Sequence, residues 1–221
     1  MAIISREHGY LFILNPRTGC TAIANGALIP HLGGEWLPPS DVRGGDGALL
    51  APQKHTTVAQ LRRAGLITDE QLRDLFVFVG VRNPFDSLVS LYEKIRQNYV
   101  RHFDDPTHWM HNNPRQVRLM KVAAEDGFNA WVRAKYPRAK VRKPLMFQAP
   151  FMEAADFFIR LEQLQEDFSE AMTKVGLSGV EVPRINTTKR ERDYRPFYDR
   201  RSRRRIERVF APSFERFGYR F

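Results

Sequence analysis

Phe76-Val77-Phe78-Val79-Gly80-Val81-Arg82-Asn83-Pro84-Phe85-Asp86-Ser87-Leu88-Val89-Ser90-Leu91-Tyr92 is the stretch that decides how this chain folds. Phe76 to Val81 is an uninterrupted apolar run, the pattern of a strand buried on both faces of a parallel sheet. Pro84 suits the first turn of a helix, and beyond it Leu88, Leu91, Tyr92, Ile95 and Tyr99 recur at helical spacing. Strand, turn and helix are therefore consecutive, and Arg82 stands where the strand ends.

On the amino-terminal side, Tyr10 to Leu14 reads as a second buried strand that stops at Asn15-Pro16, with a helix beginning near Cys20 or Thr21. Residues 33–52 are rich in Gly, Pro and Asp and read as an irregular excursion with Trp36-Leu37 and Leu49-Leu50 as apolar anchors. Thr56 or Thr57 caps a short helix through Arg63, and Thr68 caps another. On the carboxyl side, residues 113–135 are amphipathic and helical, and residues 137–150 form a basic loop. Phe157 to Ile159 reads as a third strand, followed by a helix from Leu161 to Val175 that Gly176 ends. Alternating strands and helices predict an α/β fold, a single domain over residues 1–221 with a central, mainly parallel sheet flanked by helices. Ligands of such sheets bind beyond the carboxyl ends of the strands.

A chain of 221 residues with 43% hydrophobic and 27% charged residues has the composition for one large core. The longest apolar stretches, Leu11 to Leu14 and Phe76 to Val81, are far too short to span a bilayer. The first residues lack the pattern of a secretory signal, so cytoplasmic residence is expected. Cys20 is the only cysteine, which excludes an internal disulfide and a cysteine-based zinc site. The formal charge of +10 favours anionic partners, and the excess gathers late, around Arg200-Arg201-Ser202-Arg203-Arg204-Arg205. A solvated helix face accounts for most of those arginines as well as a binding role does.

Between the first strand and its helix lies Asn15-Pro16-Arg17-Thr18-Gly19-Cys20-Thr21-Ala22. A helix N-terminus offers backbone N–H groups to an anion, Gly19 permits close approach, Arg17 adds a forked cation, and Thr18 and Thr21 add hydroxyls. An ordinary turn with a surface arginine explains this segment equally well on its own. The magnesium-binding loop of nucleoside triphosphatases, G-x-x-x-x-G-K followed by Ser or Thr, is missing, which weakens a kinase or ATPase reading. In the second segment, Ser90 lies about two helical turns beyond Arg82, so one phosphate beside the helix could touch both.

Together these segments resemble the sulfotransferases that use 3′-phosphoadenosine 5′-phosphosulfate (PAPS), in particular the carbohydrate-modifying membrane-type branch and its soluble bacterial relatives. The likeness extends to Lys54-His55-Thr56-Thr57, to Phe158 through Phe168, and to Phe217-Gly218-Tyr219-Arg220-Phe221. The resemblance implies the sulfotransferase variant of the P-loop NTPase-like fold. It implies that Arg17, Thr18, Gly19, Cys20, Thr21 and Ala22 hold the 5′-phosphosulfate, and that Arg82 and Ser90 hold the 3′-phosphate. Asn186-Thr187-Thr188-Lys189-Arg190 resembles the segment that closes over the nucleotide, with Thr187 and Arg190 as contacts.

The implied chemistry is in-line transfer of a sulfuryl group to a hydroxyl, on a carbohydrate by the branch resembled. His55 is the candidate general base, with Glu35, Asp41 and Asp46 as substitutes. Arg17 stands where the family has lysine, so it serves by charge and not as an acid. No metal is expected, because PAPS is held by cationic side chains and backbone donors. Neither a membrane span nor a nucleic-acid partner is expected. A basic nucleic-acid-binding protein, suggested by the late arginines and the interspersed Tyr194, Phe197 and Tyr198, and a nucleotide or nucleoside kinase are the competing classes.

Overall fold

The computed structural model describes residues 2–137, 149–183 and 193–221. The chain divides into two compact units, one of Met1–Arg82 with Phe147–Thr187 and the other of Asn83–Met146 with Thr188–Phe221.

The first unit is built on a sheet of five strands among β1 (Ala2–Ser5), β2 (Tyr10–Ile13), β3 (Glu35–Leu37), β4 (Val42–Arg43), β5 (Leu49–Ala51), β6 (Phe76–Val81) and β7 (Phe157–Arg160), in the order β3-β1-β2-β6-β7. β2, β6 and β7 are parallel, as the sequence predicts, with Phe12 opposite Phe78 and Phe78 opposite Phe157. The other two strands make the sheet mixed. β1 pairs antiparallel with β2 because only a short turn separates them, with Gly9 at φ 65°, and β3 pairs antiparallel with β1. The excursion over residues 33–52 is thus more ordered than expected: Trp36 and Leu37 bring β3 into the sheet, while β4 and β5 form a separate hairpin.

Side chains on the two faces of this sheet alternate as a pleat requires. Ile3, Tyr10, Phe12 and Phe78 pack with Ile23, Ala27 and Leu28 and with Phe168, Ala171 and Met172 in one core. Phe12 and Phe78 stack with centroids 5.0 Å apart. Leu11, Ile13, Val77 and Val79, on the opposite face, are also buried. Short helices follow the sequence cues: Thr57 and Thr68 each close a capping box, with Gln60 and Gln71, at the starts of Val58–Arg63 and Asp69–Arg73. Gly176, at φ 74°, follows the helix Leu164–Lys174.

The second unit is helical. Asn83 caps the helix Pro84–Lys94 by accepting from the Phe85 N–H, and Phe85, Leu88 and Tyr92 of that helix enter the unit's core. The amphipathic stretch read as one helix is two, Pro114–Glu125 and Gly127–Lys135, because the chain turns at Gly127 with φ 83°. Arg200–Val209 and Ala211–Phe217 complete the unit, with Ile206, Val209 and Phe210 facing inward. Tyr194 and Tyr198, interspersed with the late arginines, pack on Phe85, and Phe197 packs on Tyr92 and Phe128. Among the described residues no helix is long and apolar enough to cross a membrane.

Candidate functional site

The turn after β2 is held by two hydrogen bonds that depend on particular residues, one to β6 and one within the turn. Asn15, fully buried, donates from Nδ2 to the Gly80 carbonyl at 2.7 Å. Thr18, also fully buried, donates its hydroxyl to the Asn15 carbonyl at 2.8 Å. A Cβ at Gly80 would stand 2.5 Å from Thr18 Oγ1 and 3.1 Å from the Thr18 carbonyl oxygen, so only glycine lets the turn lie flat on the strand. Neither Asn15 nor Gly80 stands out in the sequence. Glycine inside an apolar strand was the available signal, since it marks close backbone approach.

Arg17 and Gly19 bracket Thr18 in left-handed conformations, with φ 69° and 75°. For Gly19 this is free of cost; for Arg17 it is a strained backbone held by its surroundings. The helical segment begins at Cys20 without a side-chain cap, and its first recorded backbone bond is from the Ala22 N–H to the Gly19 carbonyl at 2.9 Å. The first-turn N–H groups are the donors that an anion would take. Cys20 and Ala22 direct their side chains into the core, so they can serve a ligand through the backbone alone. Burial raises the Cys20 thiol above its usual pKa, outweighing the hydrogen bond with Thr21, and keeps it an inert packing group. Thr21 and Arg17 are half-buried.

Arg82, one residue past β6, donates from Nη1 to the Arg17 carbonyl at 3.1 Å. Two residues far apart in sequence, each predicted to bind a different phosphate, are thereby joined at the carboxyl edge of adjacent parallel strands. Arg160 closes β7 on the same edge, opposite Val81. Its guanidinium is locked onto Asp167 at 2.6 and 2.8 Å, and Asp167, 3% exposed, also accepts from the Arg160 backbone N–H. This pair neutralises the third arginine and ties the end of β7 to the helix Leu164–Lys174, whose Leu164, with Leu161 of the preceding 3-10 turn, lies beside Gly19.

His55 is exposed and left-handed, at φ 57°. Its Nδ1 lies 3.2 Å from the carbonyl oxygen of Leu14, the residue at the mouth of the Arg17 turn. A carbonyl only accepts, so neutral His55 carries its proton on Nδ1 and its lone pair on Nε2. Thr56, next along the chain, is fully buried, and its Oγ1 has no hydrogen-bond partner among the described residues. Glu35 is exposed on β3, Asp41 accepts from the Gln53 N–H at 2.7 Å, and Asp46 accepts from the Ala48 N–H at 3.0 Å; these two carboxylates organise their own loop. Ser90 belongs to the second unit, in the helix Pro84–Lys94, and is 1% exposed. Thr187 and Arg190 lie outside the described residues.

Backbone donors and two arginines thus meet at the carboxyl edge of an α/β sheet, the place where ligands of such sheets bind. The chain belongs to the sulfotransferase family, whose model matches residues 49–220. That span contains Lys54 to Thr57, Arg82 and Ser90 and begins after the Arg17 turn. No curated protein and no solved structure matches the chain.

Proposed function

We propose that this protein transfers the sulfuryl group of PAPS to a hydroxyl of a carbohydrate, and that residues 1–221 work as one catalytic domain. The family match, which runs through parts of both compact units, supports the second statement. Arg17, the N–H groups from Thr18 to Ala22 and the Thr21 hydroxyl hold the 5′-phosphosulfate. Arg82 takes the 3′-phosphate, with Ser90 as the second ligand read from the sequence and Thr187 and Arg190 as further contacts. The acceptor oxygen bonds to sulfur while the bond from sulfur to the bridging phosphate oxygen breaks. Nε2 of His55 takes the hydroxyl proton, and the electron pair leaves with 3′-phosphoadenosine 5′-phosphate. Arg17 stays charged throughout and stabilises the negative charge on the bridging oxygen, the part that positioning and electrostatics play in such transfers.

The observation that carries this reading is the hydrogen bond from His55 Nδ1 to the Leu14 carbonyl, which ties a base with its lone pair on Nε2 to the entrance of the anion cradle. The buried Thr56 hydroxyl beside it supports the fit, since a sulfate or phosphate oxygen would accept its unused proton. The test is incubation with PAPS and a panel of neutral and acidic glycans, following release of 3′-phosphoadenosine 5′-phosphate. Release that needs a glycan and is lost in both His55→Ala and Arg17→Ala supports the proposal. Magnesium-dependent consumption of ATP with no turnover of PAPS would sink it.

A further inference from the structure

Five arginines of the helix Arg200–Val209 converge on one cleft. Arg200, Arg201, Arg204, Arg205 and Arg208 line a cavity of about 340 Å³ in the second unit, and no other residue lines it among those described. The volume falls within the range of small-molecule sites. The cleft shares no residue with the Arg17 and Arg82 cradle.

The carboxylates next to this helix are committed elsewhere. Glu207 is held by Arg203 at 2.8 Å, and Arg203 also covers the Phe221 ring with its guanidinium 4.1 Å from the centroid. Asp199 accepts from the Ser202 N–H at 2.6 Å and pairs with Arg133 at 2.8 Å. Arg200, Arg201, Arg204 and Arg208 have no ion-pair partner among the described residues. Arg205 is anchored: its Nη1 donates to the Tyr136 carbonyl at 2.6 Å and to the Arg133 carbonyl at 3.2 Å, at the end of the helix Gly127–Lys135. A helix C-terminus favours a cation there and fixes the guanidinium plane.

Five like charges around one small space repel one another, and a ligand with several negative charges relieves that repulsion. We propose that this cleft binds a compact oligoanion carrying two or more adjacent phosphoryl or sulfuryl groups. Guanidinium forks match the oxygens of such groups in pairs. The cleft spans roughly 12 Å of helix, from Arg200 to Arg208, which suits a short run of adjacent charges better than a long polymer. Among the described residues its lining has no aromatic ring on which a base could stack, since Tyr194, Phe197 and Tyr198 pack against the core of the unit.

Calorimetric titration of the full chain at fixed ionic strength with inorganic tripolyphosphate, orthophosphate and a short mixed-sequence DNA duplex tests this. The expected result is one tripolyphosphate per chain, bound about tenfold or more tighter than orthophosphate, and a loss of about tenfold or more in Arg204→Ala/Arg208→Ala. Both substitutions are at exposed positions, and circular dichroism of the variant checks that the helix persists. Equal affinity for the two phosphates, unchanged binding in the double variant, or tighter binding of the duplex each overturns the proposal. Arg17→Ala/Arg82→Ala separates the two sites: tripolyphosphate binding that vanishes there and survives in Arg204→Ala/Arg208→Ala belongs to the donor cradle and overturns the assignment, whereas binding that survives in Arg17→Ala/Arg82→Ala supports it.

Discussion

Arg82 holds the backbone of Arg17: its Nη1 donates to the Arg17 carbonyl at 3.1 Å, across two neighbouring parallel strands. Besides the anion contact proposed for it, the arginine that leaves β6 braces a turn whose φ of 69° is unfavourable for any residue with a side chain. Arg82→Ala is expected to lower kcat/KM for PAPS by about 10- to 100-fold through the lost charge-assisted bonds. Arg82→Lys keeps the charge without the fork and should recover only part of it. Steady-state kinetics at varied PAPS decides; a lysine variant equal to the parent would show that bracing by the fork is unimportant.

His55 occupies a left-handed conformation in which glycine has no steric cost. His55→Gly should leave thermal stability unchanged or raise it by up to about 1 kcal/mol, while turnover falls by about 10²- to 10⁴-fold as the base is lost. Denaturation curves and rates on the same preparation give both numbers. Unimpaired turnover removes His55 from the mechanism.

Gly80 is a packing requirement in disguise. In Gly80→Ala the new Cβ meets Thr18 Oγ1 at 2.5 Å and the Thr18 carbonyl at 3.1 Å, so the turn must lift from the strand. A stability loss of about 1–3 kcal/mol is expected, together with weakened PAPS binding, because the cradle and the strand shift together. Thr18→Gly in the same chain removes the nearer clash and should restore part of the stability, as read by urea titration.

Thr56 Oγ1 is buried without a partner among the described residues. Replacing it by an isosteric apolar group removes an unsatisfied hydroxyl, so Thr56→Val should stabilise the ligand-free protein by about 1 kcal/mol. If the hydroxyl serves the donor, the same variant binds PAPS more weakly. Thermal shifts with and without PAPS separate the two effects, and a variant that is less stable without ligand contradicts the assignment.

Asp199 links the acidic limb of stability to the arginine helix. Burial pushes its carboxyl upward, but the Ser202 N–H and Arg133 outweigh that and hold it below the ordinary carboxylate range. A depressed folded pKa means that the stabilisation is complete above the ordinary value of about 3.9 and is lost as pH falls through the lower folded value. Asp199→Ala should therefore cost about 1 kcal/mol at neutral pH as the cap is removed. The gap from the parent should close in the acid range below that ordinary value; a gap that stays constant with pH would show that charge has no part in the cap.

Much of this architecture was readable from residue order. An apolar run from Phe76 to Val81 with Pro84 behind it defines a buried strand and a helix start because each is a local preference of the backbone and its side chains. Thr68 was readable as a cap for the same reason and the first cap as Thr56 or Thr57, of which the structure selects Thr57, and the strand–turn–helix around Arg17 followed from a short apolar run, Pro16 and Gly19. Contacts between distant segments were not local and could not be read. The union of Arg17 with Arg82, the tethering of His55 to Leu14, the need for glycine at 80 and the burial of Thr18 all arise from the side-by-side pairing of β2 and β6. The antiparallel β1 and β3 were likewise hidden, since short strands take their stability from the neighbours they pair with. Sequence determined which elements form and which chemical groups they carry; the tertiary structure decided which groups meet, because meeting depends on sheet order and packing that no single segment encodes.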